Sequence, residues 1–198
     1  MAHLGRLLAV ASSPGTMPAM EIRETPLAGA FVLEPRVFKD DRGFFLESWN
    51  RRVLRDAGLD LEFVQDNHSR STAGVLRGIH YQLPDPQGKL VRATSGTVWD
   101  VAVDLRRSSA TFLDWTAVIL DDVDHRQLWI PPGFGHGFCV MSDTADVAYK
   151  ATTFYDGSCD RAIRYDDPAI GIDWPIRNPV LSTKDEMASP VVDAVLFD

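Results

Sequence analysis

The chain has 198 residues, 45% hydrophobic and 24% charged, with a formal net charge of −8. This is the usage of one globular domain and argues against a disordered chain. The acidic balance is incompatible with the broad basic face of a nucleic-acid binder, although a few local arginines can still hold a small anion.

Residues 1–20 read as a flexible leader. The apolar stretch Leu7–Ala11 is shorter than the roughly 7–15 residues of an export segment, and Met17 and Met20 follow it. Residues 21–198 read as a single domain. Ala30–Val37 is a predicted strand, closed by the turn Asp40-Asp41-Arg42-Gly43, and Phe44–Glu47 resumes the extended pattern. Trp49–Ala57 is the one predicted helix, with Gly58 as its stop. Strands then follow at Glu62–Asn67, Val75–Gln82, Leu90–Ala93, Thr97–Leu105, Thr116–Leu120, Gln127–Ile130, Gly137–Met141 and Asp146–Phe154. Many short strands with little helix predict a sandwich or barrel. Beyond Asp156, Pro168, Pro175, Pro179 and Pro190 oppose long elements and predict loops and short turns. No apolar run approaches the roughly 20 residues of a membrane span. Cys139 and Cys159 are too few and too scattered for a disulfide framework or zinc knuckle, and read as reduced thiols of a cytosolic protein.

Four places carry candidate chemistry. Arg77-Gly78-Ile79-His80 puts a cation and an imidazole on one strand, although strict alternation sets them on opposite faces. A common role needs a bulge, which Gly78 permits. Taken alone, the string is as ordinary as a strand end with a satisfied histidine. Pro131-Pro132-Gly133-Phe134-Gly135-His136 has the PxGxxH form of the second half of the cupin pattern, a small jelly roll. Its first half would carry HxH, but this chain has His80-Tyr81-Gln82, so His136 lacks partners for a metal and none is expected. Lys89 and Asp100 lie on neighbouring predicted strands, where an ordinary surface ion pair is the plain reading. In Thr97–Leu105, Asp100 and Asp104 share a face with Val98 and Ala102, which suits either solvent or a cavity wall. Leu181-Ser182-Thr183-Lys184-Asp185 has the composition of a solvated tail.

Taken together, the strings resemble the thymidine-diphosphate-4-dehydrorhamnose 3,5-epimerase family. The matches run from Pro35 to about Asp185: DDRGFFLESWN (40–50), FVQDNHSRS (63–71), LRGIHYQ (76–82), QGKLVRATSGTVWDVAVDLR (87–106), QLWIPPGFGHGF (127–138), AYKATTFY (148–155), DPAIGIDWP (167–175) and LSTKD (181–185). The resemblance implies a mainly β, cupin-like jelly roll (double-stranded β-helix) with a few short peripheral helices, its C-terminal segment closing on the active site. It implies inversion of C3 and C5 of a thymidine-diphosphate-linked 4-keto-6-deoxyhexose, with no redox cofactor. His80 matches the base, Asp185 its orienting carboxylate, Tyr149 the acid and Lys89 the cation near the enolate oxygen. Asp100 and His136 match supporting pocket residues. Arg77 and Arg42 match diphosphate ligands, and Phe45, Glu47, Gln65 and Asn67 fall where the family grips thymidine. Phe154 falls where an aromatic ring stacks on the base. Family members are homodimers with exchanged strands, so a partner chain is implied for some nucleotide contacts. The alternatives are a mono-epimerase acting at C3 alone, a metal-dependent cupin, and a non-catalytic nucleotide-sugar binding module.

Overall fold

The computed structural model describes residues 6–11 and 20–198. In chain order come β1 (Leu7–Ala11), β2 (Met20–Glu24), β3 (Phe31–Pro35), β4 (Val37–Asp40), β5 (Gly43–Leu46), α1 (Arg51–Asp56) and β6 (Gln65–Thr72). There follow β7 (Leu76–Gln82), β8 (Lys89–Ser95), β9 (Thr97–Asp104), β10 (Trp115–Asp121) and β11 (Gln127–Ile130). The chain ends with β12 (Phe134–Val140), β13 (Thr144–Ala151), β14 (Asp160–Ala162) and α2 (Thr183–Glu186). One sheet has the order β1-β2-β3-β11-β8-β13-β6 and the other β10-β9-β12-β7-β14, while β4 and β5 form a separate hairpin. From β7 to β13 the chain crosses between the sheets at almost every step, and this winding is the jelly roll.

Alternation along the strands explains the layers. Val91, Ala93, Val98, Ala102, Leu128, Phe138 and Val147 meet between the sheets. The face that mixes Asp100 and Asp104 with Val98 and Ala102 therefore points inward, and both carboxylates are buried. The opposite face of β9 is not free either. Val101, Val103 and Leu105, with Ile79 and Tyr81 of β7, are covered by Ile163, Ile170, Ile172, Val191 and Leu196 of the C-terminal segment. Outside the seven-stranded sheet, Ile22, Leu33, Leu90 and Trp129 pack with Leu54 of α1 and with Phe63.

The predicted helix is present but shorter. Asn50 caps it, its side chain accepting from Arg52 N and Val53 N, and Gly58 beyond its end has φ +89°. Several boundaries differ from the pattern. Ala30–Val37 divides into β3 and the hairpin strand β4. The strand expected at Glu62–Asn67 begins at Gln65 and runs to Thr72, because Leu61 and Phe63 pack beside α1. The polar stretch Gln65–Thr72 is extended because it pairs along its whole length with β13. Within the expected leader, Leu7–Ala11 pairs antiparallel with β2, and Met20 is buried. Residues 1–5 and 12–19 of that expectation lie outside the described residues. No helix among the described residues is long and apolar enough to cross a membrane.

Candidate active site

The site is organised by a bulge in β7. His136 of β12 lies opposite His80, but Phe138 lies opposite Arg77. Two steps on β12 thus span three on β7, and the extra residue returns Arg77 and His80 to one face. Gly78 supplies the backbone for it at φ +126°. Any side chain there would strike Gly137 Cα and the His136 carbonyl.

His80 opens onto a cavity of about 240 Å³ that Lys89, Tyr149, Tyr155, Asp160 and Lys184 also line. Behind the imidazole, His80 Nε2 lies 2.5 Å from Asp185 Oδ1. Asp185 rides on α2, where Ser182 caps the helix and donates to Asp185 Oδ2 at 2.7 Å. Burial opposes ionisation of Asp185, but the bonds from His80, Ser182 and Gly78 N outweigh it and hold its carboxyl below the ordinary value. For His80, burial dominates and lowers the imidazole; Asp185 resists, and Lys184 and Lys89 add to the fall. One nitrogen is thus committed to a carboxylate, and the other is left as an uncharged base at neutral pH.

Tyr149 enters from β13 of the opposite sheet. Burial raises its phenol, with Asp160 and Tyr155 adding to the rise, so it keeps its proton. Lys89 Nζ lies 5.7 Å from the Tyr149 ring centroid. Burial pushes its ammonium down to about 8, opposed by Asp160 and Asp100. An imidazole base, a phenol and a cation in one small cavity can strip a proton from carbon, hold the resulting anion and return a proton. A larger cavity of about 310 Å³, between Asp66, Asn67, His68, Arg92, Gln127 and Lys150, shares Tyr149 with the first but includes neither His80 nor Asp185.

The other candidate residues divide. Arg77 is held at 3.0 Å by Ser71 Oγ on β6. Gln65 accepts from Tyr155 N and donates to Asn67 Oδ1 at 2.9 Å, and Asn67 lines the larger cavity rather than the smaller one. His136 and Asp100 are bonded to each other behind Tyr149. Arg42, Phe45 and Glu47 do not line this cavity. Arg42 sits at the hairpin turn, its side chain 89% exposed and paired with Asp40, and Phe45 is 72% exposed. Glu47 accepts from Asn50. Phe154 is exposed and only its carbonyl is engaged, by Gln82, whereas the adjacent Tyr155 is the ring in the lining. Asp160 and Lys184, paired at 2.5 Å, also escaped the sequence reading. They lie where proline and turn residues conceal a three-residue strand and a one-turn helix; the sequence signals that pointed to them were the aromatic pair Phe154-Tyr155 and the polarity of LSTKD.

Comparison with known proteins places the chain in a family. Residues 24–193 match the family model described as dTDP-4-dehydrorhamnose 3,5-epimerase. A relative of that name from Shigella flexneri is 53% identical over 180 residues, covering 90% of this chain and 99% of the relative. The crystal structure of a Legionella pneumophila dTDP-6-deoxy-D-glucose-3,5-epimerase in complex with dTDP-4-keto-L-rhamnose superposes with a TM-score of 0.84 at 47% identity. It covers 87% of this chain and 93% of its own. A 3′-monoepimerase from Streptomyces bikiniensis in complex with dTDP-quinovose gives 0.79 at 34% identity, covering 84% and 87%. Fold and relatives define a cupin-type carbohydrate epimerase. More narrowly, the chain belongs to the dTDP-4-dehydrorhamnose 3,5-epimerase family.

Proposed function

We propose that the chain inverts C3 and C5 of dTDP-4-dehydro-6-deoxy-D-glucose to give dTDP-4-dehydro-L-rhamnose, with the residues of the 240 Å³ cavity in distinct roles. Both carbons flank the C4 ketone, so the anion left by proton removal delocalises onto the keto oxygen. His80 takes the proton, and Asp185 stabilises the imidazolium that forms. The Lys89 ammonium faces the developing enolate, where a fixed charge out of water contributes about 3 kcal/mol. Tyr149 returns a proton to the opposite face. The observation that carries this reading is that His80, backed by Asp185, and Tyr149, from opposite sheets, open onto one cavity. Arg77, Gln65, Asn67 and Tyr155 border the nucleotide end.

A homodimer completes the site in this reading. The β4–β5 hairpin belongs to neither sheet and exposes Phe38, Phe44 and Phe45. It carries Arg42, Phe45 and Glu47 toward a second copy, whose nucleotide they grip. Cys139 and Cys159 are free thiols, which suits the cytoplasm.

Incubation with the 4-keto-6-deoxyglucose nucleotide in heavy water tests the chemistry. Deuterium is expected at C3 and C5. His80→Ala abolishes exchange at both while nucleotide affinity stays near wild type, and full residual exchange removes His80 from the mechanism. Label at C3 alone favours the mono-epimerase reading, which the Streptomyces bikiniensis neighbour keeps open. Metal analysis of the purified protein tests the metal-dependent alternative.

A further inference from the structure

The loop that carries Tyr155 is fastened by side chains along its backbone. Loop backbone at a surface is ordinarily free to bond to water. Here four successive residues are engaged by the amides of three glutamines. Gln87 Nε2 donates to Thr153 O at 2.7 Å, and Gln82 Nε2 donates to Phe154 O at 3.2 Å. Gln65 Oε1 accepts from Tyr155 N at 2.8 Å, and Gln82 Oε1 accepts from Asp156 N at 2.9 Å. The three come from separate segments: β6, the end of β7, and the loop between β7 and β8. Gln82 is 4% exposed, and its Nε2 also donates to Asp85 O at 2.9 Å. Both ends of its amide are therefore engaged. The Tyr155 side chain, by contrast, is left open. The residue is 58% exposed, and its hydroxyl reaches Asp160 Oδ2 at 3.3 Å.

We propose that Gln82 and Gln87 are positioning residues for nucleotide binding, acting through residues 153–156 to hold the Tyr155 ring in place before the ligand arrives. The proposal rests on the reading of Tyr155 as part of the nucleotide end. A ring on a loose loop would lose freedom on binding, whereas a ring on a fastened loop has little left to lose. Glutamine suits the task because one neutral group both donates and accepts. A carboxylate could not donate to Phe154 O, and an ammonium could not accept from Asp156 N. Gln82 follows His80 by two residues on β7, in regular register with β14, so both share a face and line the same cavity. One strand thereby carries the base and fastens the ring, which fixes the spacing between the two ends of the site.

Gln82→Ala removes two of the loop's anchors. Its affinity for dTDP, measured by titration calorimetry, is expected to fall about 10-fold. KM for the nucleotide sugar should rise by a similar factor, with kcat close to wild type. In a Tyr155→Ala background, Gln82→Ala should weaken dTDP binding no further, since its effect passes through that ring. Unchanged affinity in Gln82→Ala overturns the proposal. So does an equal fold-loss in both backgrounds, which means that the amide acts on the ligand directly or on the fold at large. A fall in kcat with KM unchanged also overturns it, by routing the effect through His80. Gln87→Ala, which frees Thr153 O, serves the same cycle if Gln82→Ala does not fold. If Tyr155→Ala binds dTDP as tightly as wild type, the reading of the nucleotide end fails and takes this proposal with it. A weakened Tyr155→Ala beside unaffected glutamine variants removes the glutamines alone.

Discussion

Burial lowers two cavity groups that work in opposite protonation states. His80 works as a base only when unprotonated, and its imidazole titrates below the ordinary value because it is buried. The acid limb of kcat is therefore expected below about pH 6.5. Lys89 works only as an ammonium, and burial brings it down to about 8. The rate should accordingly rise with pH through the His80 titration, level off, and fall above pH 8. Lys89→Arg keeps the charge across this range and should move the alkaline limb upward by more than about one pH unit. A limb that stays near pH 8 in this variant assigns the titration to another group. Tyr149→Phe should reduce net inversion more than proton exchange at carbon, and an unchanged ratio of the two removes the phenol as acid.

Two local devices show how the elements hold the site. The β7 bulge depends on a positive φ and on close approach to β12, and glycine meets both needs. Gly78→Ala forces a side chain into the backbone of Gly137 and should destabilise the fold by about 2 kcal/mol or more. Calorimetry should show the lower melting temperature, with activity falling in step as Arg77 and His80 lose their common face. At the end of β9, Asp104 accepts from Arg106, Ser109 and Thr111. Burial opposes its ionisation, but these bonds win and draw the carboxyl down to about 2. A carboxylate held below its unfolded value, about 3.9, adds stability above that pH. The contribution is about 2 kcal/mol and is lost as pH falls toward 2. Asp104→Asn should be less stable than wild type at pH 7 by that amount, and the gap should close in acid. A gap independent of pH would mean that the network acts through shape and not through charge.

The largest expectation concerns two chains together. Arg42 and Phe45 stand on a hairpin that joins neither sheet, while His80 lies in the jelly roll. If the hairpin serves the neighbouring copy, an inactive His80→Ala chain and an inactive Arg42→Ala/Phe45→Ala chain should complement each other. One site in the mixed dimer would combine an intact His80 with an intact hairpin and recover about a quarter of wild-type activity, following the random pairing of two subunits. Mixing that restores nothing places Arg42 and Phe45 in their own chain's site. Sedimentation should show the dimer in either pure variant.

The strand pattern, the single early helix and the PxGxxH turn were all readable in the sequence, because alternation, capping and glycine chemistry are local. So was the need for a bulge at Gly78, since period two forbids Arg77 and His80 a common face without one. The roles of His80, Lys89, Tyr149 and Asp185 came from resemblance, since nothing local distinguishes a catalytic histidine from a structural one. Other features depend on contacts far apart in the chain. Polar Gln65–Thr72 is a strand because β13 runs beside it. The face of β9 bearing Asp100 and Asp104 is interior because a second sheet lies over it. The tail segment around Asp185 reaches the cavity because residues 163–196 fold across the five-stranded sheet and carry that carboxylate 105 positions back to His80. Tyr155 and not Phe154 lines the cavity for the same reason: backbone direction at a loop is set by the surfaces it crosses, and those surfaces exist only after the sheets have paired.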